Sequence, residues 1–190
     1  MGMEEVIGPD RLLSLQFPGS LQVLADHAGT SDQPPDLLIE HLCQLQSSLE
    51  KTYGQIPGRG LAVRSGRAGF KHILREFADE LGLVRLEFRL MPGTCRLEAG
   101  SNALAKLFNQ FTCQHVVPNQ DDQDILWLMD HLTSGAHGQT ESSACQFAVG
   151  LLQEAMYWLS GGKTFQVEEI QCASTGHAQC KVRIRKKPIQ

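Results

Sequence analysis

The chain has 190 residues with a formal net charge of −4, and 42% of the residues are hydrophobic while 20% are charged. This globular composition allows one domain with a sizeable buried core, and the acidic balance excludes the global basic field with which many proteins recruit nucleic acid. No apolar run in the sequence approaches the ~20 residues that a membrane-spanning helix needs.

The N-terminal half predicts two helices after a weakly patterned beginning. Residues 1–34 end in the linker-like stretch SDQPPD and are expected to form an N-terminal extension of a domain that spans 35–190. Apolar residues at three- and four-residue steps predict a helix over 36–53. After the break GQIPGRG, a second helix is predicted over 61–81, with Gly82 as its C-terminal stop.

The C-terminal half mixes strand and helix patterns. LVRLEFRLMP, residues 83–92, alternates apolar and charged side chains and predicts a half-buried strand. SNALAKLFNQF predicts a helix, DILWLMDHL a strand, and SSACQFAVGLLQEAMYWLSGG the most apolar helix, which Gly161 and Gly162 end. KTFQVEEIQ and QCKVRIR predict two strands joined by the hairpin loop ASTGHA. We therefore expect an α+β fold, with helices packed on one face of a largely antiparallel sheet.

The predicted C-terminal hairpin carries the densest group of chemically reactive residues. Cys172 and Cys180 lie on either side of its loop, so antiparallel pairing can bring their side chains together. The beginning MGMEEVIGPD has no secretory signal, so we expect a cytoplasmic protein, in which thiols or metal ligands are favoured over disulfides. A tetrahedral zinc site needs four ligands. The further candidates are Glu168, Glu169, the loop residue His177 and Cys145 near the start of the last helix.

Strand parity distinguishes the two glutamates. In a regular strand Glu168 shares a face with Cys172, whereas Glu169 points away and joins the site only if the chain twists, bulges or leaves the strand before Cys172. The alternative to a metal site is a pair of small, partly buried thiols. A redox pair is a further alternative, although the spacing is far from Cys-x-x-Cys.

The stretch CQFAVGLLQEAMYWLSGGKTFQVEEIQCASTGHAQCKVRI resembles the 4-vinyl reductase domain family. The shared pattern is a Cys before a Gly-containing helix, a Gly-ended turn, a Glu-x-x-Cys strand, a loop with Gly and a second Cys. The matching residues are Cys145, Gly150, Gly161 or Gly162, Glu169, Cys172, Gly176 and Cys180. Looser similarity continues upstream through GLAVRSGRAGFKHILREF. The family includes sensor domains of phenol- and xylene-responsive transcription activators and a protein associated with reduction of the vinyl group of chlorophyll precursors.

The resemblance implies a zinc site and a ligand pocket. In the sensor domains zinc is held by the Cys before the helix, the Glu and the two later Cys, so the implied ligands here are Cys145, Glu169, Cys172 and Cys180. A closed site with three thiolates is structural, because no coordination position is left for water or substrate. The implied fold is similar to that of TRAPP transport-complex subunits and of nitric-oxide-sensing haem domains, with an apolar pocket between helices and sheet.

The candidate pocket residues are mostly aromatic or sulfur-containing side chains, which suit a flat apolar ligand but equally fit plain core packing. They are Phe108, Phe111, Trp127, Met129, Phe147, Leu151, Met156, Tyr157, Trp158 and Phe165. Arg64 and Arg67, three apart on one helical face, are candidates to bind a ligand carboxylate such as a tetrapyrrole propionate, with surface ion pairs as the alternative. The small residues beside them, Ser65, Gly66, Ala68 and Gly69, permit close approach of a helix, a ligand or a second copy.

Several enzyme signatures are absent from the sequence: it contains no Gly-x-Gly-x-x-Gly or Gly-x-x-x-x-Gly-Lys loop and no Gly-x-Ser-x-Gly elbow. The favoured hypothesis is a non-catalytic, zinc-stabilised domain that binds an apolar or aromatic small molecule as a carrier, sensor or assembly factor, and that forms a homodimer. One alternative is an enzyme or accessory subunit in chlorophyll-type tetrapyrrole metabolism or photosystem assembly. Another is a scaffold subunit with a filled core, similar to those of the TRAPP complexes.

Overall fold

The computed structural model describes residues 2–14, 35–111, 114–131 and 145–189. Its helices are α1 (Gly2–Ile7), α2 (Pro9–Ser14), α3 (Pro35–Tyr53), α4 (Gln55–Phe77), α5 (Leu86–Leu90), α6 (Gly93–Phe111) and α7 (Gln146–Leu159). Its strands are β1 (Gln114–Gln120), β2 (Asp124–His131), β3 (Phe165–Gln171) and β4 (Cys180–Pro188), with a short 3-10 turn at Ala173–Thr175. None of the helices in these ranges combines the length and the apolar character needed to cross a bilayer.

The four strands form one antiparallel sheet in the order β1-β2-β4-β3. Alternate residues of β2 and β4 are buried, as Trp127, Val182 and Ile184 illustrate. These side chains share the main core with buried residues of α6 and α7, such as Leu104 and Met156. The expected α+β fold, with helices on one face of an antiparallel sheet, is confirmed.

Strand β1 was not predicted from the sequence. It contains Pro118, which pairs with Trp127 at the edge of the sheet. Proline cannot donate to a hydrogen-bonded ladder, so it is tolerated only where one side of the strand faces no neighbour. The proline weakens the sequence signal of a strand that its place at the edge makes acceptable.

The strand predicted over 83–92 is wrong. This segment forms turns followed by the short helix α5, and its amides bond locally: Arg89 N donates to Arg85 O at 3.1 Å, and Met91 N donates to Phe88 O at 3.2 Å. Phe88 is buried, whereas Leu86 and Leu90 are 66% and 74% exposed, so the alternating pattern does not mark a buried face. Within the described ranges all strands come after residue 113, and this segment has none of them as a pairing partner.

The two predicted N-terminal helices are confirmed with shifted bounds. Helix α4 begins at Gln55, within the stretch expected to be a break, because the interruption is confined to Gly54 with φ 88°. It ends at Phe77 rather than at 81, and Gly82, with φ 69°, lies in the following turn. Helix α1, from the predicted extension, packs its buried Met3 and Ile7 in a second cluster with α3 and α4. Residues 15–34 lie outside the described part of the chain.

Helices α4 and α7 cross at very short distance through two glycines. A Cβ at Gly150 would stand 1.9 Å from the carbonyl oxygen of Val63, and a Cβ at Gly66 would stand 2.0 Å from that of Phe147. Real Cβ atoms never approach a backbone oxygen so closely, so each glycine is required by the crossing. The small-residue stretch around Gly66 is thus covered by a helix of the same chain.

We predict that Gly150→Ala destabilises the protein, because the added methyl group forces the two backbones apart. Overpacking of this kind costs about 1–3 kcal/mol, and more where a backbone has to move. The matched control is Gly60→Ala, at an exposed position of α4 where a Cβ meets nothing within 4 Å. This variant should raise the free energy of unfolding by about 0.5–1 kcal/mol. Urea unfolding measures both, and equal stabilities of the two variants would contradict the close crossing.

Candidate metal centre and ligand cleft

Three cysteines from three different elements converge at the end of the hairpin. Cys145 is the N-cap residue of α7, Cys172 follows β3, and Cys180 begins β4. The Sγ atoms of Cys145 and Cys172 are 3.8 Å apart, and those of Cys172 and Cys180 are 3.9 Å apart. All three side chains are buried, and all three sulfurs lie within 4.8 Å of one another. This is the spacing of sulfur donors around one tetrahedral ion.

An irregularity in β3 places Cys172 toward Cys180. Glu168 pairs with Arg183 and Glu169 with Val182, but the register shifts before the next pair, Gln171 with Lys181. Two residues of β3 therefore advance against one of β4, as in a β-bulge. The shift puts Cys172 on the inner side with Glu169, although the two are three positions apart. It is the bulge that strand parity requires for Glu169 rather than Glu168 to approach the thiols.

The two glutamates have different partners. Glu168 on the outer face accepts hydrogen bonds from Nε of Arg183, at 2.9 Å, and from its terminal nitrogen. These bonds lower the pKa of Glu168 below its ordinary value. Oε2 of Glu169 accepts a hydrogen bond of 2.9 Å from Nε2 of Gln146, the residue after Cys145. The carboxylate of Glu169 is outside the 4.8 Å group of sulfurs but next to it, and its charge contributes to the raised pKa of Cys145.

Hydrogen-bond donors point at the sulfurs from the turn that follows β3. The Ala173 amide donates to Sγ of Cys180 at 3.3 Å, and Oγ of Ser174 lies 2.9 Å from Sγ of Cys172. Such donors stabilise sulfur in its thiolate form, the form that binds metal. His177 does not join the sulfurs: it is exposed, and its Nδ1 lies 3.3 Å from the carbonyl oxygen of Cys172.

The beginning of α7, which carries Cys145, is fixed by a contact from far along the chain. Oε1 of Gln46, a residue of α3, accepts a hydrogen bond of 3.1 Å from the backbone amide of Gln146. The Gln46 side chain is 2% exposed, so it supplies a buried cap to an amide that has no partner within its own helix. Sequence reasoning missed this residue, because its apolar neighbours in α3 gave no sign that one glutamine faces inward.

Without a metal, the raised pKa values of Cys145 and Cys180 favour the protonated state of these two thiols. The pKa of Cys145 is raised well above its ordinary value by hydrogen bonds with Cys172 and Cys180 and by burial. The hydrogen bond with Cys145 lowers the pKa of Cys180, but the one with Cys172, together with burial, raises it by more, to about 12. A divalent cation would reverse this preference, because its charge stabilises thiolates directly.

Seven of the predicted pocket residues belong to the main core or pack against it, and the others lie at the surface or outside the described residues. Five are buried in the main core, and two more pack against it, with Phe108 edge-on to the Trp127 ring at a centroid distance of 6.1 Å. The core residues are Trp127, Met129, Leu151, Met156 and Phe165, and those packed against them are Phe108 and Phe147. Tyr157, Trp158 and Arg64 are exposed, Arg67 forms an ion pair with Glu154, and the Phe111 side chain lies outside the described residues.

A cleft of about 500 Å³ opens between α6 on one side and α5 with its preceding turns on the other. Its apolar lining residues are Leu81, Phe88, Ala99, Ala103 and Leu107, and its polar ones are Glu80, Asn102, Lys106 and Gln110. None of the predicted pocket residues belongs to this lining. The sequence concealed the cleft because residues 83–92 resembled a strand, which assigned Phe88 to the sheet.

The fold is similar to those of several solved structures. The phenol-responsive sensory domain of the transcription activator PoxR, solved with phenol, aligns over 77% of this chain and 73% of its own, with 22% identity and a TM-score of 0.54. Subunit 3 of the trafficking protein particle complex from Naegleria fowleri, covalently bound to palmitic acid, aligns over 82% of this chain and 97% of its own, with 15% identity and a TM-score of 0.60. An H-NOX protein from S. oneidensis in the Fe(II)NO ligation state aligns over 100% of this chain and 96% of its own, with 13% identity and a TM-score of 0.57. No protein-family model and no curated protein sequence matches the chain. These likenesses show the fold.

We predict that the metal-free protein loses stability as the pH rises above about 8.5, the ordinary pKa of a cysteine in an unfolded chain. Between that pH and the raised pKa of about 12 for Cys180, the unfolded chain has released a proton that the folded cluster still holds. The free energy of unfolding then falls by up to about 1.4 kcal/mol per pH unit for this thiol. Below about pH 8.5 the contribution is fully present.

The measurement is urea unfolding with a chelator at several pH values between 8 and 10.5, on the wild type and on Cys180→Ser. Serine does not titrate in this range, so the variant should show a shallower decline. Parallel declines would mean that the Cys180 thiol titrates normally in the folded protein.

Proposed function

We propose that this protein is a non-catalytic domain in which a zinc ion stabilises the fold and a separate cleft binds an apolar or aromatic small molecule. The observation that carries the first half is the convergence of three buried sulfurs within 4.8 Å. Zinc is the preferred ion because a buried, thiol-rich donor set suits a closed tetrahedral site. The resemblance to zinc-binding sensor domains agrees with this choice.

The fourth ligand in this proposal is Glu169. The bulge in β3 brings it to the side of the thiols, whereas Glu168 is engaged by Arg183 on the opposite face of the strand. Coordination requires the Glu169 carboxylate to exchange its bond with Gln146 for the metal. That bond holds the carboxylate beside the residue that follows Cys145, which is where the proposed ligand has to lie.

A site of this kind links the first turn of α7 to both strands of the hairpin. Its ligands come from the N-cap of the helix, the end of β3 and the beginning of β4. Metal binding therefore contributes to the free energy of folding rather than to a reaction, since four protein ligands leave no open position.

We predict one zinc ion per chain in the wild-type protein, as measured by native mass spectrometry and elemental analysis. Cys172→Ser should lose the metal. Glu169→Gln should weaken binding by at least the ~10–100-fold that loss of an outer-shell partner costs. The matched control, Glu168→Gln on the neighbouring position, should leave the affinity unchanged. Equal effects of the two glutamine variants would remove Glu169 from the ligand set, and a wild-type chain without zinc would remove the metal site.

The cleft beside α6 is the proposed ligand site. A volume of about 500 Å³ lies within the ~300–1,000 Å³ of typical small-molecule pockets. Its apolar floor, around Phe88 and Leu107, suits a hydrocarbon or aromatic body, and Lys106 can bind a ligand carboxylate. Phenol and palmitic acid, which are bound by two proteins of this fold, belong to the same chemical range. The core around Trp127, by contrast, is filled by its own side chains.

We predict that Ala103→Phe, which fills the cleft from α6, abolishes binding of whichever probe the wild type retains. The probes are phenol, palmitate and haemin, each tested by native mass spectrometry and by quenching of tryptophan fluorescence. Thr94→Phe is the control, because Thr94 is an exposed residue of α6 outside the cleft lining. If Ala103→Phe binds a probe as tightly as the wild type, the ligand occupies another site, and a wild type that binds none of the three contradicts the binding function. The same mass spectra report whether the chain forms the expected homodimer.

A further inference from the structure

The sulfur of Cys172 lies within 4 Å of both other sulfurs of the cluster. It lies 3.8 Å from that of Cys145 and 3.9 Å from that of Cys180. A disulfide bond is about 2.05 Å long, so a displacement of less than 2 Å would join Cys172 to either neighbour. The same geometry that suits a metal ion therefore also suits sulfur–sulfur bond formation.

The three thiols differ in their exposure and in their donors. Cys145 is 8% exposed, compared with 3% for Cys172 and 2% for Cys180. All three residues are buried, and Cys145 has the largest exposed fraction. Sγ of Cys172 lies 3.8 Å from that of Cys145, and Oγ of Ser174, 2.9 Å from Sγ of Cys172, can stabilise Cys172 as a thiolate nucleophile.

We propose that the metal centre is regulated by oxidation, in that a peroxide joins Cys145 to Cys172 and thereby releases the zinc ion. The inference rests on the proposed zinc site and adds to it a way in which the site is emptied. It concerns Cys145, Cys172 and Cys180 and needs no cofactor besides the metal.

Hydrogen peroxide is the two-electron oxidant in this proposal. The Cys145 thiolate attacks one peroxide oxygen, the O–O bond breaks, and a sulfenic acid and a hydroxide ion form. The Cys172 thiolate then attacks the sulfenic sulfur, the S–O bond breaks, and the disulfide and a second hydroxide form. The two sulfurs lose two electrons in total, and the peroxide gains them.

The consequence for the metal follows from its ligand count. The disulfide removes two thiolate donors, so Cys180 and Glu169 remain, and two ligands do not hold zinc in a closed site. The covalent bond still connects the beginning of α7 to the end of β3, whereas the metal's link to β4 is lost. Oxidation therefore replaces a metal site that connects α7, β3 and β4 with a disulfide that connects only α7 and β3.

The test treats zinc-loaded protein with hydrogen peroxide while a chromogenic chelator reports released zinc and peptide mass spectrometry identifies disulfides. We expect about one zinc ion released per chain, a Cys145–Cys172 linkage, and zinc uptake restored by dithiothreitol. Cys95→Ser, at an exposed cysteine outside the cluster, is the control and should release zinc as the wild type does.

Two variants, treated in the metal-free state, distinguish the pair that forms the bond. Cys180→Ser retains Cys145 and Cys172 and should still form the disulfide, whereas Cys172→Ser retains Cys145 and Cys180 and should lose it. Zinc that stays bound after peroxide, or a linkage of Cys172 with Cys180 as the main product, would overturn the inference while leaving the proposed zinc site intact. Elemental analysis before treatment tests the zinc site itself, and a chain without zinc at that stage would overturn both.

Discussion

The structure depends on a contact between Cys145, the residue before α7, and Cys172, the residue after β3. Their sulfurs are 3.8 Å apart. This contact joins the most apolar helix to the hairpin at the point where both begin or end. The three thiols around it are buried in the same cluster as the core of the sheet. Burial makes the arrangement costly for thiolates without a cation and favourable with one, because a nearby positive charge compensates for the lost hydration.

Helix α7 reaches this position because of contacts made elsewhere along its length. Gly66 and Gly150 allow the backbones of α7 and α4 to come into direct contact, and a larger residue at either position would displace α7. Gln46 bonds the amide that follows Cys145. The place of the first sulfur is therefore set by two glycines and one buried amide side chain, none of which is a metal ligand.

The sequence predicted the elements whose pattern is local and missed those that depend on partners. The alternation in β3 and β4 and the apolar length of α7 were sufficient, since each buries a continuous face. The same alternation misled at Leu86 and Leu90, because a strand needs a neighbour and this segment has none among the described strands. Strand β1 was missed because it contains Pro118, a residue that strand propensity disfavours. The edge of the sheet nevertheless tolerates it.

The candidate site shows the same division between local and distant information. Spacing alone brought Cys172 and Cys180 together, but regular strand parity favoured Glu168 and the family resemblance favoured Glu169. That choice depends on a register shift of one residue, which the alternation of the strand does not reveal. The cleft could not be predicted from the sequence. Its walls come from α6 and from a segment whose secondary structure was predicted wrongly.

The cysteine cluster and the helix that lines the cleft contact opposite ends of α7. Helix α7 has 14 residues, which span about 21 Å at 1.5 Å per residue. At its far end Leu159 packs so closely on α6 that a Cβ at Gly100 would lie 2.4 Å from its side chain, and Arg96 donates a hydrogen bond to its carbonyl oxygen. Gly100 follows Ala99 of the cleft wall. Helix α7 therefore connects the three thiols to the helix that lines the cleft. If the proposed metal and ligand both bind, any coupling between the two sites is reciprocal in free energy.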